Sequence, residues 1–393
     1  MNIVLLTHPP FLGSQSMPRF TWMLSQGMKE RGHNVQVWSP KPGWYKYSPR
    51  GVAKKWLGYI DQFLVFPQTV RRQMRECPSN TLYVITDQAL GPWVPLVSHR
   101  PHVIHCHDFL AQYSAKGLIA ENPTSISGQI YQAFIREGYR KGRYFISVSH
   151  KTRNDLHDFV TGCSMSEVVY NGISPKFAPG NISEIRRALS IKTGINLENG
   201  FILHVGGNQW YKNRCGVLEI YNAWRSRGKA LLPLLMVGKM PDKALSKQYH
   251  RSFYKYNIHF VPGLSDTHLQ MAYAGASVFL FPSIAEGFGW PIAEAMASGC
   301  LVVTTNEAPM TEVAGDAAFL IPKRPSSSEE VRLWAKTAAN VLERVLLLSD
   351  DRRQVAIEKG LIQSQKFNQE RALDLVESLY ERVMLLESQP AYA

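Results

Sequence analysis

The sequence predicts an α/β protein with two domains, each built around a parallel sheet, and three observations lead to this prediction. With 393 residues, the chain is too long for one typical hydrophobic core and fits two. Short apolar runs such as 234–237 and 277–281 end at glycine or proline, which is typical of strands buried on both faces. Helix-length segments separate these runs, and strands that alternate with helices form parallel sheets.

The composition narrows the class of protein. No run approaches the roughly 20 apolar residues of a membrane-spanning helix, so a spanning protein is not expected. Residues 1–6 lack the basic region and cleavage site of a signal peptide and are predicted as the first strand. The five cysteines are scattered without a Cys-x-x-Cys pair, which argues against a disulfide framework or a structural zinc site. We therefore expect a cytoplasmic protein.

The net charge of +13 predicts an anionic partner: nucleotide phosphates, anionic lipid or nucleic acid. Residues 41–75 concentrate basic side chains, namely Lys41, Lys46, Arg50, Lys54, Lys55, Arg71, Arg72 and Arg75. Asp61 is the only acid in this segment. Aromatic residues lie between the charges: Trp44, Tyr45, Tyr47, Trp56, Tyr59, Phe63 and Phe66.

Two hypotheses remain open for the segment 41–75. In the first, a helix over 52–66 packs its aromatic residues into the core of the first domain and its lysines are solvated. In the second, the segment is a surface for anionic lipid or a groove for a lipid-linked acceptor, which implies a peripheral position at the inner face of the membrane. No nucleic-acid partner is expected, because nothing else in the chain resembles a nucleic-acid-binding module.

The first domain is predicted to begin with a strand over 2–7, and the loop containing Gly13 follows it, where open α/β sheets bind ligands. The other predicted elements here are a helix over about 18–31 and strands over 34–38, 81–85, 102–105, 144–149 and 167–170. His107 and Asp108 lie just beyond the end of the predicted strand over 102–105, which points them at the ligand crevice. His105 is expected to face the other way, into packing, because side chains along a strand alternate.

The second domain is predicted after a linker marked by prolines. Its predicted strands cover 201–205, 234–237, 258–261, 277–281 and 301–304, and its longer predicted helices cover 329–349 and 351–386. Gly206 and Gly207 form a turn after the first of these strands, and Lys212 and Arg214 precede a helix.

The stretch 283–299 carries the most specific pattern in the chain. Its glycines let the backbone turn sharply close to a ligand, and Pro291 suits the start of a helix, whose positive end favours a phosphate. Glu286 and Glu294 lie on either side of this turn. A carboxylate beside a phosphate is costly unless it accepts hydrogen bonds from the ligand, and sugar and ribose hydroxyls are the obvious donors. The two acids therefore suggest a sugar nucleotide.

This stretch resembles the signature of the family-4 retaining glycosyltransferases of GT-B fold. Their pattern is Glu-Gly-Phe-Gly-Leu-Pro followed by Glu-Ala-Met-Ala, and this chain departs from it only at Trp290, where leucine is usual. The resemblance implies two Rossmann-like domains with parallel sheets facing a cleft. It implies an acceptor domain over 1–178, a nucleotide-sugar donor domain over 179–372, and a last helix, about 373–393, that packs back on the first domain.

The resemblance also implies roles for individual residues. Lys212 would hold the donor diphosphate, and Arg214 would replace the arginine that many members carry where this chain has Gly207. Glu286 would hold the hydroxyls of the donor sugar, Glu294 those of the ribose, and His107 the sugar from the other domain. The expected catalytic residues are thus His107, Asp108, Lys212 and Glu286. The expected donor-binding residues are Gly13, Gly206, Gly207, Arg214, Gly287, Phe288, Gly289, Trp290 and Glu294.

No cofactor and no metal are expected, because the chain contains no Asp-x-Asp motif and Lys212 and Arg214 can stabilise the leaving diphosphate. The function so predicted is a metal-independent, retaining hexosyltransferase that uses a nucleotide sugar, UDP- or GDP-linked, and a glycan or lipid-linked acceptor. Two alternatives stay open. A sugar-nucleotide epimerase of the same fold would form product from the donor alone, and a non-catalytic membrane-surface protein would turn over no donor.

Overall fold

The computed structural model describes residues 1–13, 16–47, 51–228 and 231–388. These residues divide into two units: unit 1 is Met1–Tyr170 with the segment from Glu370 onward, and unit 2 is Asn171–Gln369. Within the described ranges, each unit contains a six-stranded sheet whose neighbouring strands pair in parallel. The predicted α/β class with parallel sheets is confirmed.

The strands of unit 1 are β1 (Asn2–Leu6), β2 (Asn34–Trp38), β3 (Leu82–Ile85), β4 (His102–Cys106), β5 (Tyr144–Ser147) and β6 (Met165–Val168). They lie in the sheet in the order β2-β1-β3-β4-β5-β6. The inner strands β3, β4 and β5 are buried along their whole length, as expected for a parallel sheet covered by helices on both faces.

The helices of unit 1 up to residue 170 are α1 (Ser16–Glu30), α2 (Val52–Ile60), α3 (Phe66–Met74), α4 (Val94–Val97), α5 (Leu110–Ala115), α6 (Ile126–Tyr139) and α7 (His150–His157). α1 buries Phe20, Leu24 and Met28, which recur every four residues and so share one face. α7 begins where the Ser149 hydroxyl accepts a hydrogen bond from the backbone N–H of Thr152 (3.0 Å), so this serine caps the helix.

The segment 41–75 divides its apolar side chains between the core and the surface. The helix predicted over 52–66 runs further, because α2 continues through a π-helical turn (Asp61–Val65) into α3. The buried side chains are Phe66, Val70 and Met74, and the exposed ones are Trp44, Tyr47, Trp56, Leu64 and Val65. Arg50, also predicted to contribute, lies outside the described residues. No helix in the described part of the chain is long and apolar enough to cross a bilayer.

The strands of unit 2 are β7 (Ile202–Val205), β8 (Leu234–Val237), β9 (Ile258–Val261), β10 (Val278–Phe281), β11 (Val302–Thr305) and β12 (Ala318–Ile321). They lie in the order β12-β11-β10-β7-β8-β9. The helices are α8 (Ile182–Thr193), α9 (Arg214–Arg225), α10 (Lys243–Arg251), α11 (Asp266–Gly275), α12 (Trp290–Ala297), α13 (Met310–Ala314), α14 (Ser328–Leu346) and α15 (Asp350–Ser364). β7 and β10 are neighbours, so the loops that follow them leave the same edge of the sheet.

The last helix, α16 (Gln369–Ser388), belongs almost entirely to unit 1. Its Tyr380 hydroxyl lies 2.7 Å from His105 Nε2, and both side chains are buried. Burial lowers the pKa of His105 to about 3, and the nearby His107 adds to this, so the ring is neutral. His105 thus faces packing, as the alternation along the strand predicted. Residues 389–393, included in the predicted last helix, lie outside the described residues.

The prediction of one continuous helix over 351–386 is wrong. α15 ends at Ser364, and a 3₁₀ turn over Gln365–Phe367 precedes α16. Asn368 is extended and bridges Ile173 in parallel, which a helical residue cannot do. Ile173 belongs to unit 2, which begins at Asn171, whereas the first domain was predicted to end at residue 178. Strand β12 was not among the predicted strands.

We expect Tyr380→Phe to lower the free energy of unfolding by about 1–3 kcal/mol, because it leaves a buried histidine nitrogen without its partner. Equilibrium unfolding of the full chain in guanidinium chloride, followed by circular dichroism, measures this change. Tyr47→Phe is the matched control, since the Tyr47 side chain is exposed in the same unit. Equal midpoints for Tyr380→Phe and the control would show that the buried hydrogen bond contributes nothing to stability.

Candidate functional site

Two loops at the carboxyl edge of the unit 2 sheet carry most of the predicted donor-binding residues. The first, residues 206–213, follows β7, and the second, residues 282–289, follows β10. The backbone N–H of Ile284 donates to the Tyr211 carbonyl oxygen (2.7 Å). The Asn213 side-chain amide donates to the Pro282 carbonyl oxygen (2.8 Å). These bonds hold the two loops together.

Lys212 and Glu286 form an ion pair between the two loops. Lys212 Nζ lies 2.7 Å from Glu286 Oε1, and the two side chains are only 14% and 8% exposed. The Ser283 hydroxyl also lies 2.7 Å from Glu286 Oε1. In a site with little water, such a charge-assisted pair is strong, and it presents a cation and a carboxylate side by side. The structure therefore brings together the two unit 2 residues that were predicted to be catalytic.

Asn213, directly after Lys212 in the first loop, has an unusual backbone conformation. It is the only non-glycine residue in the described ranges with a positive φ, 48°, and it is buried. Its side-chain oxygen accepts from the backbone N–H of Gly216 (3.1 Å) and caps α9. Asparagine tolerates this left-handed region better than most residues, and Lys212 directly precedes it. Asn213 was not among the predicted site residues, although an asparagine before a helix is a recognisable capping signal.

Arg214 is the first residue of α9 and is buried. Its Nη1 donates to the Lys239 carbonyl oxygen (2.8 Å) and to the side-chain oxygen of Asn208, so it connects the loops after β7 and β8. Burial lowers the pKa of Arg214. Its Nε and Nη2 are buried and have no hydrogen-bond partner among the described residues. Two unsatisfied donors on a cation suit an anionic ligand.

His204, on β7, is a further residue of this edge that the sequence analysis missed. Its Nδ1 lies 3.0 Å from the Leu280 carbonyl oxygen and donates to it. Burial lowers the pKa of His204 to about 3, and the charges of Arg214 and Lys212 add to this, so the ring is neutral. A Cβ at Gly206 would lie 3.0 Å from His204 Nε2, which explains why glycine suits the start of this loop. A lone histidine within an apolar strand gives no sequence signal of a site.

The second loop leads into α12 at a glycine. Gly289 has a φ of 104°, and α12 begins at the next residue, Trp290, with Pro291 in its first turn. Gly287 and Phe288 complete the loop, and Phe288 is buried. Glu294 is buried inside α12, one turn from its start. The predicted start of a helix at Pro291 is therefore confirmed. The remaining predicted glycine, Gly207, follows Gly206 in the first loop.

Unit 1 has its own polar cluster at the carboxyl edge of its sheet. His107 is buried, and its Nε2 donates to the Thr86 carbonyl oxygen (2.9 Å), which fixes the ring. Burial lowers the pKa of His107, against the effects of Asp87 and of the Thr86 carbonyl. Asp87 lies 2.9 Å from His8 Nε2. Burial would raise the pKa of this carboxyl, but the hydrogen bond and charge of His8 hold it below its usual value.

The two remaining predicted residues of unit 1 lie near this cluster in the chain. Asp108 accepts the backbone N–H of Leu110 (3.1 Å) at the start of α5. Gly13 ends a 3₁₀ turn over Pro10–Leu12 with a φ of 68°. The ligand contacts predicted for the residues of both units stay predictions. The described residues contain no group of three or more His, Cys, Asp or Glu side chains that could hold a metal ion.

Two family models match the chain. "Glycosyltransferase Family 4" matches residues 17–177, and "Glycosyl transferases group 1" matches residues 185–343, so together they cover most of the chain. The solved structures of the Anabaena protein HepE in complex with UDP and glucose and of sucrose-phosphate synthase from Thermosynechococcus elongatus share the fold. Their TM-scores are 0.71 and 0.72, at 15% and 16% identity. They cover 97% and 98% of this chain, and all of each solved chain is matched.

Curated relatives match shorter stretches. O-antigen chain mannosyltransferase B of Escherichia coli is 31% identical over 173 residues, 44% of this chain and 43% of that protein. The MMP alpha-(1->4)-mannosyltransferase of Mycolicibacterium hassiacum is 33% identical over 104 residues, 26% of this chain and 25% of that protein. The chain thus spans less than half the length of these two relatives. From the two family models and the shared fold, we conclude that the chain belongs to the glycosyltransferases of GT-B fold.

Proposed function

We propose that the protein transfers a hexosyl group from a nucleoside-diphosphate sugar, UDP- or GDP-linked, to a glycan or lipid-linked acceptor in polysaccharide or glycolipid biosynthesis. The observation that carries this proposal is the Lys212–Glu286 pair, held 2.7 Å apart between two joined loops. A cation suits the diphosphate, and a carboxylate suits the hydroxyl groups of the sugar. The names of the mannosyltransferase relatives and the UDP and glucose in the HepE structure support a hexosyl donor.

The proposed chemistry needs no cofactor and no metal ion. Lys212, the unsatisfied N–H groups of Arg214 and the N-terminus of α12 would stabilise the charge that grows on the leaving diphosphate. The departing phosphate would help to remove the proton from the acceptor hydroxyl on the same face of the sugar. No enzyme nucleophile is then needed, and the anomeric configuration is retained. Glu294 would hold the ribose hydroxyls.

The proposed location is the cytoplasm, at the inner face of the membrane. The exposed Trp44, Tyr47, Trp56 and Leu64, together with the basic residues of the segment 41–75, support a peripheral contact with anionic lipid. The proposed contact would place the protein close to a lipid-linked acceptor. Nucleic acid is not among the proposed partners.

A donor screen tests the proposed function. We expect one class among UDP-glucose, GDP-mannose and ADP-glucose to raise the thermal midpoint of the full chain, because a ligand that binds only the folded state stabilises it. The same donor, with an acceptor extract, should give a glycosylated product whose anomeric configuration nuclear magnetic resonance can compare with that of the donor. Product formed without any acceptor would point to the epimerase, and stabilisation by no donor would contradict the proposal.

Lys212→Ala should lower kcat by about a hundredfold or more, because it removes one preorganised charge at the leaving group. Lys359→Ala is the matched control, since it breaks an exposed ion pair with Asp316 (3.4 Å) in the same unit. Glu294→Gln should act mainly on donor affinity, because ribose contacts change little between the ground state and the transition state. Steady-state kinetics would reverse the two assignments if Lys212→Ala changed KM alone and Glu294→Gln changed kcat alone.

Turnover should persist in excess EDTA, because the charge stabilisation is assigned to Lys212 and Arg214. The measurement is the initial rate of nucleoside diphosphate release with and without the chelator, followed by addition of Mg²⁺. Loss of the rate in EDTA and its recovery with Mg²⁺ would show that a metal ion takes part and that the assignment is wrong.

A further inference from the structure

Helix α6 carries an exposed apolar stripe that was not among the predicted surfaces. Ile126, Ile130 and Phe134 are 76%, 66% and 50% exposed, and their spacing of four places them on one side of the helix. Single exposed apolar residues are common, but a continuous row of large ones marks a surface that contacts something apolar.

Aromatic contacts join this stripe to the segment 41–75. Phe63 packs edge-on against Phe134, with ring centroids 5.6 Å apart, and lies 6.1 Å from Tyr131. Tyr59 stacks on Tyr131 with centroids 5.3 Å apart. Two segments that lie far apart in the sequence therefore form one surface in unit 1.

The surface is apolar and faces outward. Trp56 packs edge-on against Tyr59 with centroids 5.7 Å apart and is 61% exposed, and Leu64 is also 61% exposed. We call the exposed set Trp56, Leu64, Ile126, Ile130 and Phe134 the apolar face. Its aliphatic members distinguish it from a carbohydrate-binding surface, since sugars stack on aromatic rings.

The charge around the apolar face is positive. Asp61, the only acid of the segment 41–75, is buried and accepts the backbone N–H groups of Trp44 and Tyr45, both at 2.9 Å. The Asp61 carboxylate is therefore hydrogen-bonded inside unit 1 and adds no negative charge to the surface. Lys54 and Lys55 lie over the rings of Tyr45 and Tyr59, 4.6 and 5.7 Å from the centroids.

Helix α6 adds no uncompensated negative charge to this surface. Its one acid, Glu137, pairs with Arg140 at 3.1 Å. The apolar face thus combines large apolar side chains with cationic neighbours, which is the pattern of a surface that lies in the interface of an anionic bilayer.

From these contacts we propose that α6 and the segment 41–75 form one membrane-binding surface, in which the apolar face enters the acyl boundary and the lysines contact anionic headgroups. This deepens the proposed peripheral location and rests on it. A second copy of the chain fits less well, because a symmetric contact would bring two sets of lysines together. The contact made by α6 is new, since the sequence pattern pointed only to residues 41–75.

Vesicle co-sedimentation of the full chain tests the proposal. The probes are phosphatidylcholine vesicles with and without phosphatidylglycerol, and the variants are Ile130→Asp, Phe134→Asp and Lys54→Glu/Lys55→Glu. Ile362→Asp is the matched control, because Ile362 is 71% exposed on α15 of the other unit. We expect binding only with phosphatidylglycerol. Each α6 variant should lose about tenfold or more in partitioning, since the aspartate would place a charge where the proposal puts an apolar side chain in the acyl boundary.

Three outcomes would overturn the proposal. If the wild type does not bind anionic vesicles, the proposed membrane-binding surface is wrong. If the α6 variants bind as well as Ile362→Asp, α6 is not part of that surface. A change in sedimentation velocity on Ile130→Asp, without vesicle binding by the wild type, would assign the face to contact between copies. Thermal stabilisation by the nucleotide sugar, measured on the same variants, should stay unchanged. Loss of the donor effect in wild type would instead contradict the proposed transferase and leave the vesicle result intact.

Discussion

The candidate site at the carboxyl edge of the unit 2 sheet depends on the hydrogen bonds between the loops after β7 and β10. These strands are parallel neighbours in the sheet, so both loops leave the same edge. The bonds from Ile284 to Tyr211 and from Asn213 to Pro282 then fix the loops against each other. Lys212 Nζ and Glu286 Oε1 meet at 2.7 Å as a consequence. A site built from backbone and buried amide groups is preorganised, which matters more for stabilising a transition state than the number of contacts.

Features that depend on the backbone conformation of one or two residues could be predicted from the sequence. A glycine shortly before a proline predicts the start of α12. In the structure Gly289 is the residue before the helix, and Pro291 lies in its first turn. The ion pair could not be predicted in the same way, because Lys212 and Glu286 lie 74 residues apart in sequence and meet only through the strand order. The placement of β7 beside β10 rests on tertiary packing, which residue periodicity does not encode. His204 was not predicted as a site residue because its neighbours in the strand are apolar.

The helices also differ in whether local sequence or a distant contact determines them. The predicted helix over 351–386 is broken, because Asn368 pairs with Ile173, nearly two hundred residues earlier. Local propensity favours a continuous helix there and cannot detect the distant partner. In the segment 41–75 the pattern predicted an amphipathic helix but left open which side was buried. The answer lies in Asp61 and Phe66, whose burial turns α3 into the core and leaves Trp56 outside.

The Lys212–Glu286 pair also bears on which ligand the site favours under the proposed function. A nucleoside diphosphate alone would attract Lys212 but would add negative charge beside Glu286, whose carboxylate is only 8% exposed to water. An intact sugar nucleotide adds hydroxyl groups that can donate to Glu286 in place of Lys212. Under the proposed function, Lys212 would then be free to contact the diphosphate, where negative charge develops. One ion pair would thus favour binding of the intact donor and lower the affinity for the nucleoside diphosphate product. The reason is that the Glu286 carboxylate would accept hydrogen bonds only from a ligand that still carries its sugar.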